Sequence, residues 1–195
     1  MALRSTVALP IRILAATAVA LPLGASANTG VTITSYGHSA LLIQGGGQSV
    51  LLNPFRAVGC AAGLAEPRVG ASAILASSRL LDEGAPGVAS GRFLVDPGTY
   101  QVGSLRFEGI GGPHDRVGGG AKVYDGREAA ELVRELQPRV VIPVQYVSGA
   151  TPANCDQGSV QPFLDAMAGT PVQRAGSRIN LPGSLAEGPV IKVMR

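Results

Sequence analysis

The sequence predicts an α/β protein built as one domain, and three observations carry that expectation. Short apolar runs broken by Gly, Pro and Asp turns fill the segment from about 31 to 110, the mark of closely spaced strands. From Asp125 the apolar period changes to a helical one and then, past Pro138, to a buried strand, which is a helix-to-strand unit. The composition supports a packed core: 195 residues, 46% apolar and only 15% charged. Disorder driven by charge is excluded on that balance. The 27 Gly and 14 Pro make the chain loop-rich and exclude a coiled coil.

Taken in order, Val31 to Ile33 and Ala40 to Ile43 read as strands, Gly45-Gly46-Gly47 turns the chain, and Ser49 to Leu52 runs back until Pro54. Ala73 to Ala76 is a further apolar run that stops at Ser77-Ser78. Arg92 to Val95 is halted by Asp96-Pro97-Gly98, and Ser104 to Ile110 alternates around Leu105 and Phe107. Asp125 followed by Glu128 is a capping-box signature, after which Ala129, Leu132, Val133 and Leu136 fall on one helical stripe. Val140 to Pro143 reads as a buried strand, Val160 to Ala168 as a second helix stopped by Gly169, and Pro189 to Met194 as a last strand. No internal repeat is present.

Residues 1–27 are expected to be a signal peptide and 28–195 the single folded domain. Arg4 and Arg12 precede an apolar run from Ile13 to Leu23, and Ala25-Ser26-Ala27 gives a small-x-small cleavage site. That run is shorter than the roughly 20 residues a bilayer span needs. No later stretch is long enough either, so the product is expected to be exported, periplasmic or extracellular, with no membrane span after cleavage. Losing Arg4 and Arg12 leaves 14 basic against 13 acidic residues, a net charge of +1. With no Lys/Arg cluster and no aromatic platform, nucleic acid is not an expected partner. Cys60 and Cys155, 95 positions apart, would in an exported protein either pair or stay as two buried thiols. A disulfide closing so long a loop would contribute on the order of 4 kcal/mol.

Three segments carry a resemblance: Tyr36-Gly37-His38-Ser39-Ala40 through Leu51-Leu52-Asn53-Pro54-Phe55; Ile74-Leu75-Ala76-Ser77-Ser78-Arg79-Leu80-Leu81-Asp82-Glu83-Gly84-Ala85; and Val117-Gly118-Gly119-Gly120-Ala121-Lys122-Val123-Tyr124 with the helix and Val141-Ile142-Pro143-Val144-Gln145-Tyr146. In order and flanks they resemble the metallo-β-lactamase superfamily, nearest the small metal-dependent, lactonase-like hydrolases. The resemblance implies an αββα sandwich with a dinuclear zinc site at one edge, here in a shortened form. It also implies a strand-end loop reading His-x-His-x-Asp-His, with metal-bound water activated to a pKa of about 7.

The sequence departs from that pattern at its centre. The segment Ser78-Arg79-Leu80-Leu81-Asp82-Glu83 stands where the motif would be, and only Asp82 matches. Leu80 has no donor atom, Gln145 stands where relatives place a late His, and Asn53 where many carry Asp. Zinc normally needs three or four N, S or carboxylate donors. Arg116 runs directly into Val117-Gly118-Gly119-Gly120, as though central strands had been lost, which would bare sheet edges.

The expected reading is therefore an exported, non-catalytic binding relative, a pseudoenzyme with most zinc ligands gone, no cofactor, and an unknown small molecule or protein as partner. The alternative is a residual hydrolase for a lactone or ester with a remodelled single-metal site, zinc being held by Asp82, Glu83 and His114. Catalytic candidates are His114, Asp115 and His38. Each has a plainer reading: His38 a buried ring satisfied by backbone, His114 and Asp115 a turn after Pro113, Asp82 and Glu83 solvated or capping acids. A new metal site from His38, His114, Cys60 and Cys155 has no support in spacing. Ser39 lacks the second Gly of a serine-hydrolase elbow, and the Gly118–Lys122 run is no phosphate loop.

Overall fold

The computed structural model describes residues 30–111, 124–148 and 155–195. Within them the strands are β1 (Val31–Ser35), β2 (Leu41–Gly45), β3 (Gln48–Leu52), β4 (Gly70–Leu75), β5 (Ser90–Leu94), β6 (Gly98–Val102), β7 (Leu105–Gly109), β8 (Val140–Val141), β9 (Val172–Arg174), β10 (Arg178–Leu181) and β11 (Val190–Val193). The helices are α1 (Gly126–Leu136) and α2 (Gln161–Ala166), with a 3-10 turn at Gly59–Ala61. The expected signal peptide, His114, Asp115 and the Gly118–Gly120 run lie outside the described residues.

A six-stranded sheet has the order β10-β1-β2-β3-β4-β5. Its first half is antiparallel; β3, β4 and β5 are parallel. The β2–β3 turn is two residues long, and Gly46 (φ 56°) and Gly47 (φ 74°) supply the left-handed pair that such a turn demands. Parallel neighbours need crossovers. Here both are loops: 53–69, with the 3-10 turn, joins β3 to β4, and 76–89 joins β4 to β5. A second sheet, β8-β11-β9, is wholly parallel, and β6-β7 form a separate hairpin.

The two sheets meet through Ile33, Leu41, Ile179 and Met194, flanked by Ile43, Leu52, Ile142, Val144 and Leu181. The far face of the second sheet is covered by the helices, with Ala130, Phe163 and Met167 packed on Ile191 and Val193. The opposite face of the six-stranded sheet, carrying Leu42, Leu51 and Ile74, packs with Tyr36, Val69 and Phe93. Of the two helical layers that the resemblance implies, the described residues provide one.

The α1 start follows the expected chemistry. Asp125 accepts from the backbone N–H groups of Arg127 and Glu128 (2.8 and 2.9 Å), while Glu128 accepts from the Asp125 N–H at 2.9 Å. The apolar stripe is shifted from expectation: Ala130 is the buried position and Leu136 is 50% exposed. The helix ends in Gln137, left-handed at φ 48°. Strands β6, β9 and β10 were not expected from the sequence, because each is short and polar at alternate positions or set among Gly and Pro.

Candidate functional site

The ends of β3, β4 and β8 and the turn entering β2 come together at one edge of the molecule, where open α/β sheets place their ligands. Each contributes a polar residue: Asn53 after β3, the 77–85 loop after β4, Gln145 after β8, and His38 before β2. Among the described residues four non-glycine positions have positive φ, and three of them are His38 (50°), Asn53 (42°) and Gln145 (58°). Such backbone costs energy and gathers at functional sites. Its concentration here marks the edge independently of any motif.

Local hydrogen bonds hold each residue in that conformation. The turn before β2 closes through Tyr36 N–H to Ala40 C=O (2.9 Å) and Ala40 N–H to Gly37 C=O (3.1 Å), with Gly37 at φ 86° and Leu64 packed against it. Asn53 donates its N–H to Leu75 C=O (2.9 Å) and accepts from Ser77 N–H on its side-chain oxygen (2.7 Å). It is thus a strut between the ends of β3 and β4. Gln145 donates its N–H to His38 C=O at 3.0 Å, and its side-chain amide donates to the Glu83 carboxylate.

Glu83 is only 5% exposed, which corrects the expectation that this acid is solvated. Ser78, equally buried, accepts the Leu80 N–H on its hydroxyl at 3.1 Å, a bond within its own loop. Leu80 is 42% exposed. The loop is tight: a Cβ on Gly84 would sit 2.0 Å from Ser78 O. Asp82 is half-buried, with its carboxylate against Gly59 of the 3-10 turn. The two crossover loops are tied by Arg56 N–H to Leu81 C=O (2.6 Å) and Ala85 N–H to Pro54 C=O (2.7 Å).

His38 sits edge-on to Phe55, with ring centroids 6.0 Å apart. Burial lowers its pKa from the ordinary 6.5, against the upward pull of the Asp82 and Glu83 carboxylates, the Asp82 backbone and the Gln157 side chain. Its Nε2, and the neighbouring Ser39 hydroxyl, are buried with no hydrogen-bond partner among the described residues. The backbone of Asp82 meets the His38 ring, as the plain expectation has it, while Nε2 is left over.

The structure brings His38, Asp82 and Glu83 together, with Asn53, Ser78 and Gln145 around them. Cys60 and Cys155 form a disulfide with Cα atoms 4.6 Å apart, so neither thiolate is available to a metal. Gln157 escaped sequence reasoning: it reaches His38 because Cys155, two positions earlier, is pinned to Cys60. The one signal for it was that pairing.

A zinc centre does not fit the described donors. Leu80 offers none, Ser78 is engaged in its own loop, and Glu83 is bonded by Gln145. Among the described residues no group of three or more His, Cys, Asp or Glu side chains is placed to hold a metal ion.

One mixed and one parallel sheet, with a polar cluster at the strand ends and a single described helical layer, define an α/β protein. Residues 32–123, just under half of the chain, match the family described as the beta-lactamase superfamily domain. A crystal structure from Thermotoga maritima, described as a candidate Zn-dependent hydrolase of the metallo-β-lactamase superfamily, superposes with a TM-score of 0.62 at 18% identity. The superposition covers 85% of this chain and all of that one. At that identity the likeness is one of fold. The matched segment and the fold are what this chain shares with the metallo-β-lactamase superfamily. No curated protein sequence matches it. Among the described residues no helix is long and apolar enough to cross a membrane.

Proposed function

We propose that this chain is an exported, non-catalytic member of its superfamily, in which hydrogen bonds within the protein replace zinc ligation and the strand-end site serves to bind a small molecule or a protein. One observation carries the reading: the Gln145 amide is spent on the Glu83 carboxylate. Both residues occupy positions where the resemblance implies metal ligands, and in this chain they satisfy each other. An amide and a buried carboxylate so paired are poor donors to an ion, since binding one would first break a charge-assisted bond worth about 1.5–3 kcal/mol. Export is supported by the Arg4/Arg12, apolar and Ala25-Ser26-Ala27 pattern and by the disulfide, which belongs to an oxidising compartment.

A thermal melt with and without excess zinc tests the reading. An ion bound only by the folded state, at 100 times its dissociation constant, adds about 2.7 kcal/mol. The expected result is a cooperative melt whose midpoint zinc does not raise, with no stoichiometric metal in the purified protein. A zinc-dependent rise that disappears in His114→Ala would refute it in favour of a remodelled single-metal hydrolase.

A further inference from the structure

We infer that the Cys60–Cys155 disulfide is a redox latch on the strand-end site, holding residues 155–158 over His38 and releasing them when a dithiol reduces it. Three features place the bond there. The 3-10 turn that bears Cys60 abuts the site directly, since the position of a Cβ on Gly59 lies 2.7 Å from Asp82 Oδ2. The other end of the bond begins the segment whose Gln157 side chain acts on His38. Among the described residues that segment has one backbone hydrogen bond to the site's frame, Val147 N–H to Gly158 C=O at 2.9 Å. The disulfide is its one covalent tie among the described residues, beside that bond, the Gln157 side chain on His38 and the Cys60 Sγ–Asp156 Oδ1 contact at 3.9 Å.

The bond also stands apart from what keeps the sheets together. Neither Cys60 nor Cys155 belongs to the cluster between the two sheets or to the cluster beneath the helices. Both cysteines are half-buried, so a reductant in solution can reach the sulfurs. Metal ions in this superfamily's implied site would cross-link loops that lie far apart in sequence. In this chain the disulfide makes such a cross-link, between 59–61 and 155–158, and the thiol–disulfide balance takes over control of the site's order. The chemistry closes: the dithiol gives up two electrons and two protons, its sulfurs join in a disulfide of their own, and Cys60 and Cys155 become two thiols.

The inference rests on the metal-free reading in one respect, that no ion holds these loops once the bond is open. Amide hydrogen exchange on the purified full chain tests it, oxidised and after dithiothreitol, each with EDTA and with zinc, beside the Cys60→Ser/Cys155→Ser variant. In EDTA, reduction is expected to speed exchange about tenfold or more at residues 36–40 and 155–160, the equivalent of 1.4 kcal/mol of local opening. The slowest amides of β1 to β3 should stay protected, and the variant without reductant should match the reduced protein. Unchanged exchange at 36–40 and 155–160 would overturn the latch. So would equal loss of protection at the site and throughout β1 to β3, which would make the bond a global staple. Zinc restoring protection to the reduced protein would leave the latch standing and refute the metal-free reading.

Discussion

The substitution Gln145→Met isolates the contact that carries the proposed metal-free reading. Methionine keeps the length and unbranched shape of the side chain. At φ 58° it meets the same backbone cost as glutamine, so that term cancels in the comparison. What is lost is the amide that donates to Glu83, leaving a carboxylate that is 5% exposed without that donor. A hydrogen bond to a charged group contributes about 1.5–3 kcal/mol, and an abandoned buried acceptor keeps its full desolvation cost. The expected loss is therefore about 2–3 kcal/mol. For a chain of this size that corresponds to a fall of roughly 4–12 °C in Tm. Urea denaturation is the assay, with an unchanged slope required for the midpoint to be read as stability. Glu83→Gln keeps an acceptor for the Gln145 amide and should cost less than Gln145→Met. In the double-mutant cycle with Glu83→Leu the two sites should couple by at least about 1 kcal/mol. A Gln145→Met protein within about 0.5 kcal/mol of the parent, the range of ordinary surface substitutions, would refute the reasoning.

Three further expectations follow from the same geometry. Replacing both Cys60 and Cys155 by Ser should lower the stability read from a urea midpoint by well under the about 4–5 kcal/mol that closing a 95-residue loop contributes in the chain-entropy model, because the bond ties a local segment; a loss of the full amount would make it a global staple. Because burial depresses the His38 pKa below 6.5, the folded state disfavours the imidazolium, so its contribution is complete above 6.5 and declines as pH falls through the lowered folded value. Urea midpoints across that window should fall in the parent and fall less in His38→Asn, a residue that accepts the left-handed backbone; equal slopes would contradict the assignment. Gly84→Ala should destabilise by about 1–3 kcal/mol or prevent folding, because the new methyl group meets Ser78 O at 2.0 Å; a parental thermal melt would show that the 77–85 loop is looser than described.

The strands from Val31 to Leu94 and the start of α1 were legible because their signals are local: alternation or apolar runs between turn residues, and a capping box satisfied within one helical turn. Strand β10 was not, since Arg178-Ile179-Asn180-Leu181 acquires its meaning only when Thr32 to Thr34 lie beside it. Leu136 misled because helical spacing says which residues share a face, not where the sheet beneath them ends. At the site, the absence of a zinc motif was legible in Ser78, Leu80 and Gln145. The contact formed there was not. The pairing of Glu83 with Gln145 spans 62 positions and depends on the carboxyl ends of β4 and β8 meeting. The left-handed backbones at His38, Asn53 and Gln145 left no mark either, because residues other than Gly adopt that conformation only when surrounding contacts impose it.

The place of β11 has a consequence for how the molecule is made. Residues 190–193 form the middle strand of their sheet, with β8 on one side and β9 on the other, and Met194 fills the seam between the two sheets. Neither neighbour has a partner until those late residues emerge from the ribosome. During synthesis the strands from β1 to β5 can pair, while the layer bearing Gln145 waits for its central member. Closure of the strand-end site then waits for β11 to join β8 and β9.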